Sequence, residues 1–150
     1  MDKGGQGEKP RVVIDASVAA KWVIPGEPWD TEAEILKEKI VLGEVEAYAP
    51  ELILYEVASV LLKSISIAAL ELSEGIEALK AMGDLGVNIQ TAEWNDLAEI
   101  LNVAAKTKLT VYDSTYLHLS KRIRGKLITA DKELKEKGKA ITETILLKDF

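Results

Sequence analysis

The stretch Arg11-Val12-Val13-Ile14-Asp15-Ala16-Ser17 decides the fold of this chain. Three branched apolar residues in succession, with no polar alternation, are typical of a strand that is buried on both faces of a parallel sheet. Asp15 follows directly, at the edge where open α/β sheets bind their ligands. The stretch therefore predicts a buried strand that carries a carboxylate to the ligand-binding edge of an α/β sheet.

Length and composition restrict the class of protein. The chain has 150 residues, which predicts one domain over residues 11–150 after a disordered lead-in over residues 1–10 that lacks the apolar segment of a signal peptide. It contains no cysteine, which removes disulfides, thiolate zinc sites and cysteine nucleophiles. No apolar run reaches the ~18 residues of a membrane span. We therefore expect a cytoplasmic protein with no membrane partner.

The charge is negative overall but unevenly distributed. A formal net charge of −6 argues against a protein that coats nucleic acid in general. Between residues 106 and 126, however, Asp113 is the only acid among several lysines and arginines. Such a tract beside an acidic site is a candidate for phosphate contacts, and we expect Lys121, Arg122 or Arg124 to guide a nucleic-acid backbone. The alternative is a solvated helix face.

Predicted strands alternate with predicted helices along the chain. We predict strands at residues 12–14, 46–49, 87–90, 126–129 and 141–147. We predict helices at residues 17–24, 29–42, 74–82 with Ser73 as cap, 91 or 93 to 104, and 132–137, with a long helix opened by Pro50 and another from Asp113 to about Arg122. This alternation is typical of an α/β domain with a mainly parallel sheet.

Four acidic residues are candidates for a site: Asp15, Glu56, Asp113 and Asp131. Each aspartate is also explained as a helix cap or as a carboxylate in a first helical turn. Glu56 differs because it lies well inside the long helix, on an apolar face, with no lysine or arginine within four residues. Its alternative role is a long side chain that reaches water from the edge of the apolar stripe.

These carboxylates predict a metal site if the fold brings them together. Right-handed crossovers place the ends of parallel strands at one edge of the sheet. Several carboxylates at that edge cannot all ionise comfortably without a cation. Ligands that are all oxygen suit Mg²⁺ or Mn²⁺ rather than zinc, and such sites activate water and bind a phosphodiester in line.

Four segments of the chain resemble the motifs of PIN-domain nucleases. They are Val13-Ile14-Asp15-Ala16-Ser17, Glu56-Val57-Ala58-Ser59-Val60-Leu61, Tyr112-Asp113-Ser114-Thr115-Tyr116-Leu117 and Leu127-Ile128-Thr129-Ala130-Asp131-Lys132-Glu133-Leu134. Their order and spacing match the family over nearly the whole chain. In length and pattern the chain is most similar to VapC-type toxins of prokaryotic toxin–antitoxin pairs.

The resemblance implies a fold, an activity and partners. The fold would be a three-layer PIN fold, with a central, mainly parallel sheet of about five strands flanked by helices. The activity would be Mg²⁺- or Mn²⁺-dependent RNA cleavage by Asp15, Glu56, Asp113 and Asp131, with Ser17 and Thr129 as polar supports beside the metal. A cognate antitoxin would be the protein partner. One position departs from the family pattern, because Ser59 stands where many relatives carry asparagine.

Other functions stay open at this point. The segment from Leu61 to Leu72 has more apolar positions than one helix face needs, which indicates a homodimer or antitoxin-binding surface. A protein-interaction module with capping carboxylates, or a PIN nuclease of RNA processing, would also fit. A phosphoacceptor receiver domain is disfavoured because Asp15 has no adjacent acid. The only histidine, His118, is expected to pack rather than to act as a base.

Overall fold

A computed structural model describes residues 8–24, 26 and 28–150. Most of the predicted lead-in, residues 1–7, lies outside the described residues. In the described part of the chain, five strands form one sheet in which every pairing is parallel, in the order β3-β2-β1-β4-β5. The strands are β1 (Arg11–Ile14), β2 (Glu46–Pro50), β3 (Asn88–Gln90), β4 (Lys126–Thr129) and β5 (Thr144–Leu146).

Helices flank this sheet and complete a three-layer α/β fold, as predicted. The helices in the described residues are α1 (Ala16–Val23), α2 (Asp30–Val41), α3 (Leu52–Ser66), α4 (Leu72–Gly83), α5 (Trp94–Thr107), α6 (Val111–Ile123) and α7 (Lys132–Gly138), followed by a short 3₁₀ helix, Leu147–Asp149. None of these helices has both the length and the apolar character needed to cross a membrane.

Strand β1 is the centre of the sheet because both of its faces are apolar. Val12, Val13 and Ile14 are at most 2% exposed, and each such burial stabilises the fold by roughly 1.5–3 kcal/mol. The next strand along the chain, β2, pairs on one side of β1, and β4 pairs on the other. Asp15 therefore follows the strand at which the chain changes direction across the sheet, the usual ligand position in such folds.

The connection from α6 to β4 returns the chain to the edge of the sheet where Asp15 lies. Arg124 has a left-handed backbone (φ 58°) at the end of α6. A Cβ on Gly125 would lie 2.8 Å from the carbonyl oxygen of Arg11, so only glycine fits against β1 at this turn. Because β4 runs back along α6, Asp113 at the start of α6 and Asp131 after β4 come to the same end of the sheet.

Two predicted helix starts are wrong. Pro50 does not open a helix; it is the last residue of β2, and α3 begins at Leu52. The reason is that the β1–β2 pairing ends at Tyr48, so a residue without an N–H is tolerated at position 50. Ser73 lies inside α4 rather than capping it. The cap is Glu71, whose backbone N–H donates to Glu74 Oε1 at 2.9 Å in a capping box.

Candidate active site

Asp15 is both a helix cap and a buried carboxylate. It is 4% exposed, and its Oδ1 accepts hydrogen bonds from the Val18 N–H at 3.1 Å and from Ser17 Oγ at 2.6 Å. Its Oδ2 accepts from the Thr129 hydroxyl of the neighbouring strand β4. The capping role expected from the sequence is therefore present, but the side chain also joins two strand ends.

Ser17 and Thr129 hold the ends of β1 and β4 together. Ser17 Oγ accepts from the Ala130 N–H at 2.9 Å and lies 3.3 Å from Thr129 Oγ1. Thr129 Oγ1 in turn accepts from the Asp131 N–H at 3.0 Å. These two hydroxyls place the backbone of Asp131 beside Asp15. Their role as supports for a bound metal stays a prediction.

Glu56 has a hydrogen-bond partner, Tyr116, that was not predicted from the sequence. The Tyr116 hydroxyl donates to Glu56 Oε1 at 2.5 Å, across 60 residues of sequence. The tyrosine is 2% exposed, and burial together with the nearby Glu56 carboxylate raises its pKa above the ordinary value, so it remains a donor. The available signal was its spacing, because Tyr116 lies three residues after Asp113 and so shares its helix face.

Asp113 is electrostatically coupled to its acidic neighbours. It lies in the first turn of α6, where its N–H donates to Thr110 Oγ1 at 3.0 Å. Burial raises the pKa of the Asp113 carboxyl, and the negative charges of Asp131, Glu56 and Glu133 raise it further, against the lowering effect of Thr110. Asp113 is therefore near enough to both Asp131 and Glu56 for their charges to oppose its ionisation.

The pKa of Asp15 is raised as well. Burial raises the pKa of Asp15 from 3.8 to about 6. Hydrogen bonds from Ser17, Thr129 and Val18 oppose this shift, while the charge of Asp113 adds to it. Thr129 bonds both the Asp15 carboxylate and the Asp131 N–H, and Tyr116, three residues after Asp113, bonds Glu56. Together with the charge effects on Asp15 and Asp113, these contacts place the four predicted carboxylates in one region.

Asp131 caps α7 as its alternative role predicted. Its Oδ1 accepts from the Glu133 N–H at 2.9 Å and from the Leu134 N–H at 3.3 Å. Only Oδ1 takes part in these bonds, so capping leaves the second carboxylate oxygen free of the helix terminus. Capping and a role in the acidic cluster are therefore compatible for this residue.

The donor chemistry fits Mg²⁺ or Mn²⁺, although the side chains do not close around one point. Among the described residues, no three His, Cys, Asp or Glu side chains have the geometry to hold a metal ion. All four candidates are nevertheless oxygen donors, and no described lysine or arginine forms an ion pair with any of them. Their mutual repulsion is what a hard divalent cation would offset. Side-chain rotation would be needed to bring three of them onto one ion.

The basic residues predicted to guide a nucleic-acid backbone lie at the far end of α6. Lys121, Arg122 and Arg124 follow Asp113 by eight to eleven residues, which is about 12–16 Å along a helix axis. Arg122 Nη1 is also 3.6 Å from Asp96 Oδ1, and Nη2 donates to Gln90 Oε1 at 3.4 Å. A contact with the backbone stays a prediction, and it would involve a part of the polymer distant from the carboxylates.

His118 lies outside the acidic cluster. Its Nε2 is 3.3 Å from Asp96 Oδ1, and this contact joins α6 to α5. A backbone hydrogen bond at Glu93, followed by the one from His118, lowers the pKa of Asp96. The histidine thus pairs with Asp96, and its not acting as a base stays a prediction.

The likeness to known proteins identifies the family. Residues 12–140 match the PIN domain. The chain belongs to the PIN domain family. This PIN protein is 30% identical over 132 residues to Ribonuclease VapC3 of Pyrobaculum aerophilum, a match that covers 87% of this chain and 97% of that protein. The resemblance to PIN-domain proteins, and to the VapC type in particular, is confirmed.

Solved structures share the PIN fold. The crystal structure of PAE2754 from Pyrobaculum aerophilum has a TM-score of 0.70 at 21% identity, covering 98% of this chain and 92% of that chain. VapBC2 from Rickettsia felis, bound to a DNA fragment from their promoter, has a TM-score of 0.64 at 12% identity, covering 91% of this PIN chain and 96% of that chain. At these identities the likeness supports the fold alone.

Proposed function

We propose that this PIN protein is a Mg²⁺- or Mn²⁺-dependent endoribonuclease of the cytoplasm, with a single domain over residues 11–150, and that it is the toxin of a toxin–antitoxin pair. The observation that carries the proposal is that hydrogen bonds and charge effects bring Asp15, Glu56, Asp113 and Asp131 together at the carboxyl edge of the sheet. The 30% identity to a protein named a ribonuclease supports the same conclusion.

Each part of the cluster has a distinct task in this proposal. Asp15, Asp113 and Asp131 would hold the cation, with Glu56 as a further ligand or as the acceptor of a bound water. When bound, the cation lowers the pKa of a water molecule and offsets charge on the scissile phosphate. Ser17 and Thr129 orient the Asp15 carboxylate through their hydrogen bonds.

Tyr116, three residues after Asp113 on α6, completes this arrangement. Its hydroxyl holds Glu56 Oε1 and leaves Oε2 free to face the ligand. Because Tyr116 is buried, it also excludes water from that side of the carboxylate. The rotamer of Glu56 is then fixed before the substrate arrives, which reduces the reorganisation needed at the reaction step.

Removal of the cation tests the function directly. We expect the purified chain to cleave single-stranded RNA in Mg²⁺ or Mn²⁺ and to lose at least about 100-fold in rate in EDTA, since the water nucleophile is then no longer activated. The measurement is the initial rate on a labelled RNA, with excess Mn²⁺ restoring the rate. Cleavage that continues at an unchanged rate in EDTA would contradict the metal-dependent mechanism.

The partner proposals rest on the exposed surface of α3, α4 and the segment between them. Leu61 is buried, but several apolar residues of the predicted segment from Leu61 to Leu72 and of the adjoining parts of α3 and α4 are exposed. The large apolar side chains exposed there are Leu54, Leu62, Ile67, Leu72, Ile76 and Leu79. We propose that this face binds a second copy of the chain or the antitoxin, because free apolar patches are unfavourable in water. Light scattering that gives a monomer mass at micromolar concentration would contradict the homodimer.

A further inference from the structure

A groove adjoins the acidic cluster. It has a volume of about 490 Å³ and lies between α1, α3 and the start of α6. Ser17 and Glu56 both line it, so it opens directly onto the candidate active site. This volume is within the roughly 300–1,000 Å³ of sites that take small organic ligands. A polymer whose phosphate reaches the carboxylates would lay a neighbouring nucleotide along this groove.

Two tyrosine rings in this groove are not explained by packing. Tyr55 is 69% exposed and Tyr112 is 61% exposed, and each directly precedes a candidate carboxylate, Glu56 and Asp113. In the described part of the chain, neither hydroxyl forms a hydrogen bond. Tyr116 shows the contrast, since it is buried and bonded to Glu56. Exposed, unpaired rings beside a reaction site are available to a ligand.

We propose that Tyr55 and Tyr112 form a stacking subsite for an unpaired RNA base next to the scissile phosphate. The subsite rests on the proposed ribonuclease function. Among the described residues that line it, Glu56 is the only charged one and, apart from the two tyrosines, the others are small or apolar, so the groove suits a neutral flat ring better than a phosphate. Aromatic side chains bind single-stranded bases by stacking and tolerate different base identities. The exposed Ser59 hydroxyl in the same groove offers a hydrogen bond to a base edge.

The subsite also restricts the substrate. A base that stacks on a protein ring must be unpaired, because pairing and stacking in a duplex hide its face. The segment cleaved would therefore be a loop or a single strand rather than a regular helix. Stacking also supplies affinity that does not depend on phosphate charge, which matters beside a carboxylate cluster that repels phosphates in the absence of a cation.

The test compares RNA that has bases with RNA that lacks them. The full chain carries Asp131→Asn to prevent cleavage, since asparagine still caps a helix. The probes are a labelled single-stranded deca-adenylate and an abasic ribose-phosphate decamer of equal charge. Tyr55→Ala and Tyr112→Ala are each expected to weaken deca-adenylate binding roughly 5- to 100-fold and to leave abasic binding unchanged. Tyr→Phe at either position keeps the ring and is expected to bind normally.

Trp94→Ala is the matched control, because Trp94 is 91% exposed but lines a different groove. It should change neither affinity. Equal losses on both probes, or a loss in the phenylalanine variants as large as in the alanine variants, would overturn the stacking subsite. So would a tyrosine variant that alters the mass of the assembly but not RNA affinity, since the groove would then be a protein contact.

If the proposed ribonuclease function is wrong, the cleavage and binding results differ from those that overturn the subsite alone. A parent chain that neither cleaves RNA nor, as Asp131→Asn, binds either decamer would overturn the ribonuclease and the subsite together. A parent that cleaves RNA, with tyrosine-to-alanine variants that bind deca-adenylate normally, would overturn the subsite alone. Circular dichroism of each variant separates loss of binding from loss of the fold.

Discussion

Asp15→Asn is expected to reduce RNA cleavage by at least about 100-fold, the size of effect seen when a group that stabilises charge in a reaction is removed. Asparagine keeps an oxygen that can accept from Val18 and Ser17, so the start of α1 should be preserved. It removes the negative charge that would hold the cation. The measurement is the initial cleavage rate in saturating Mg²⁺, with circular dichroism to verify the fold.

The other members of the cluster provide a graded comparison. Asp113→Asn should lose as much activity as Asp15→Asn, because it also removes a ligand charge. Tyr116→Phe removes only the hydroxyl that holds Glu56, and we expect a smaller loss of about 10-fold, typical of one hydrogen bond to a charged group. Asp84→Asn is the control, since Asp84 is an exposed acid at the end of α4. Normal cleavage by both aspartate variants would contradict the assignment of the site.

The metal-free chain is expected to lose stability through Asp15 as the pH rises from about 4 to about 7. The pKa of Asp15 is raised to about 6 by burial, so in this window the folded state keeps a proton that the unfolded state has released. The free energy of unfolding therefore falls as the pH rises through the folded-state pKa, and the loss is nearly complete at about pH 7. The difference between the two pKa values corresponds to roughly 3 kcal/mol.

Urea unfolding in EDTA at pH 4, 5, 6 and 7 measures this loss, and Asp15→Asn should show a smaller fall over the same range. The difference between the two chains isolates Asp15 from the other acids, including Asp113, whose pKa is raised in the same direction. Adding Mn²⁺ at pH 7 should recover about 2.7 kcal/mol at a hundredfold excess over the dissociation constant. At pH 5 the recovery should be smaller, because protons compete for the ligands. If the free energy of unfolding falls equally with pH in the two chains, burial of Asp15 does not oppose its ionisation and the prediction is wrong.

The fold was predictable to the extent that it depends on local pattern. Val12 to Ile14 form a buried parallel strand because branched apolar residues occupy both of its faces. Element boundaries were less predictable. Pro50 has the right chemistry for a first helical turn, but it ends β2 because the pairing with β1 has already stopped. A capping box at Glu71 likewise prevailed over Ser73.

The distance in space between the basic tract and Asp113 could not be read from the sequence. Lys121 and Arg122 are close to Asp113 in the chain, and their contact with a nucleic-acid backbone stays a prediction. The rise of α6 carries them about 12 Å or more towards the opposite end of the sheet. A helix converts a short sequence separation into a large spatial one, which a charge pattern alone does not reveal.

By itself, the sequence determined that Asp15 ends a buried strand and that Glu56 lies on an apolar helix face where capping cannot explain it. Only the tertiary structure decided what surrounds them. Asp15 gained the Thr129 hydroxyl because β4 pairs beside β1, and Glu56 gained Tyr116 because the fold brings one side chain of α3 within hydrogen-bond distance of one side chain of α6. These contacts join residues far apart in the chain, so they depend on how elements dock rather than on the pattern within any one of them.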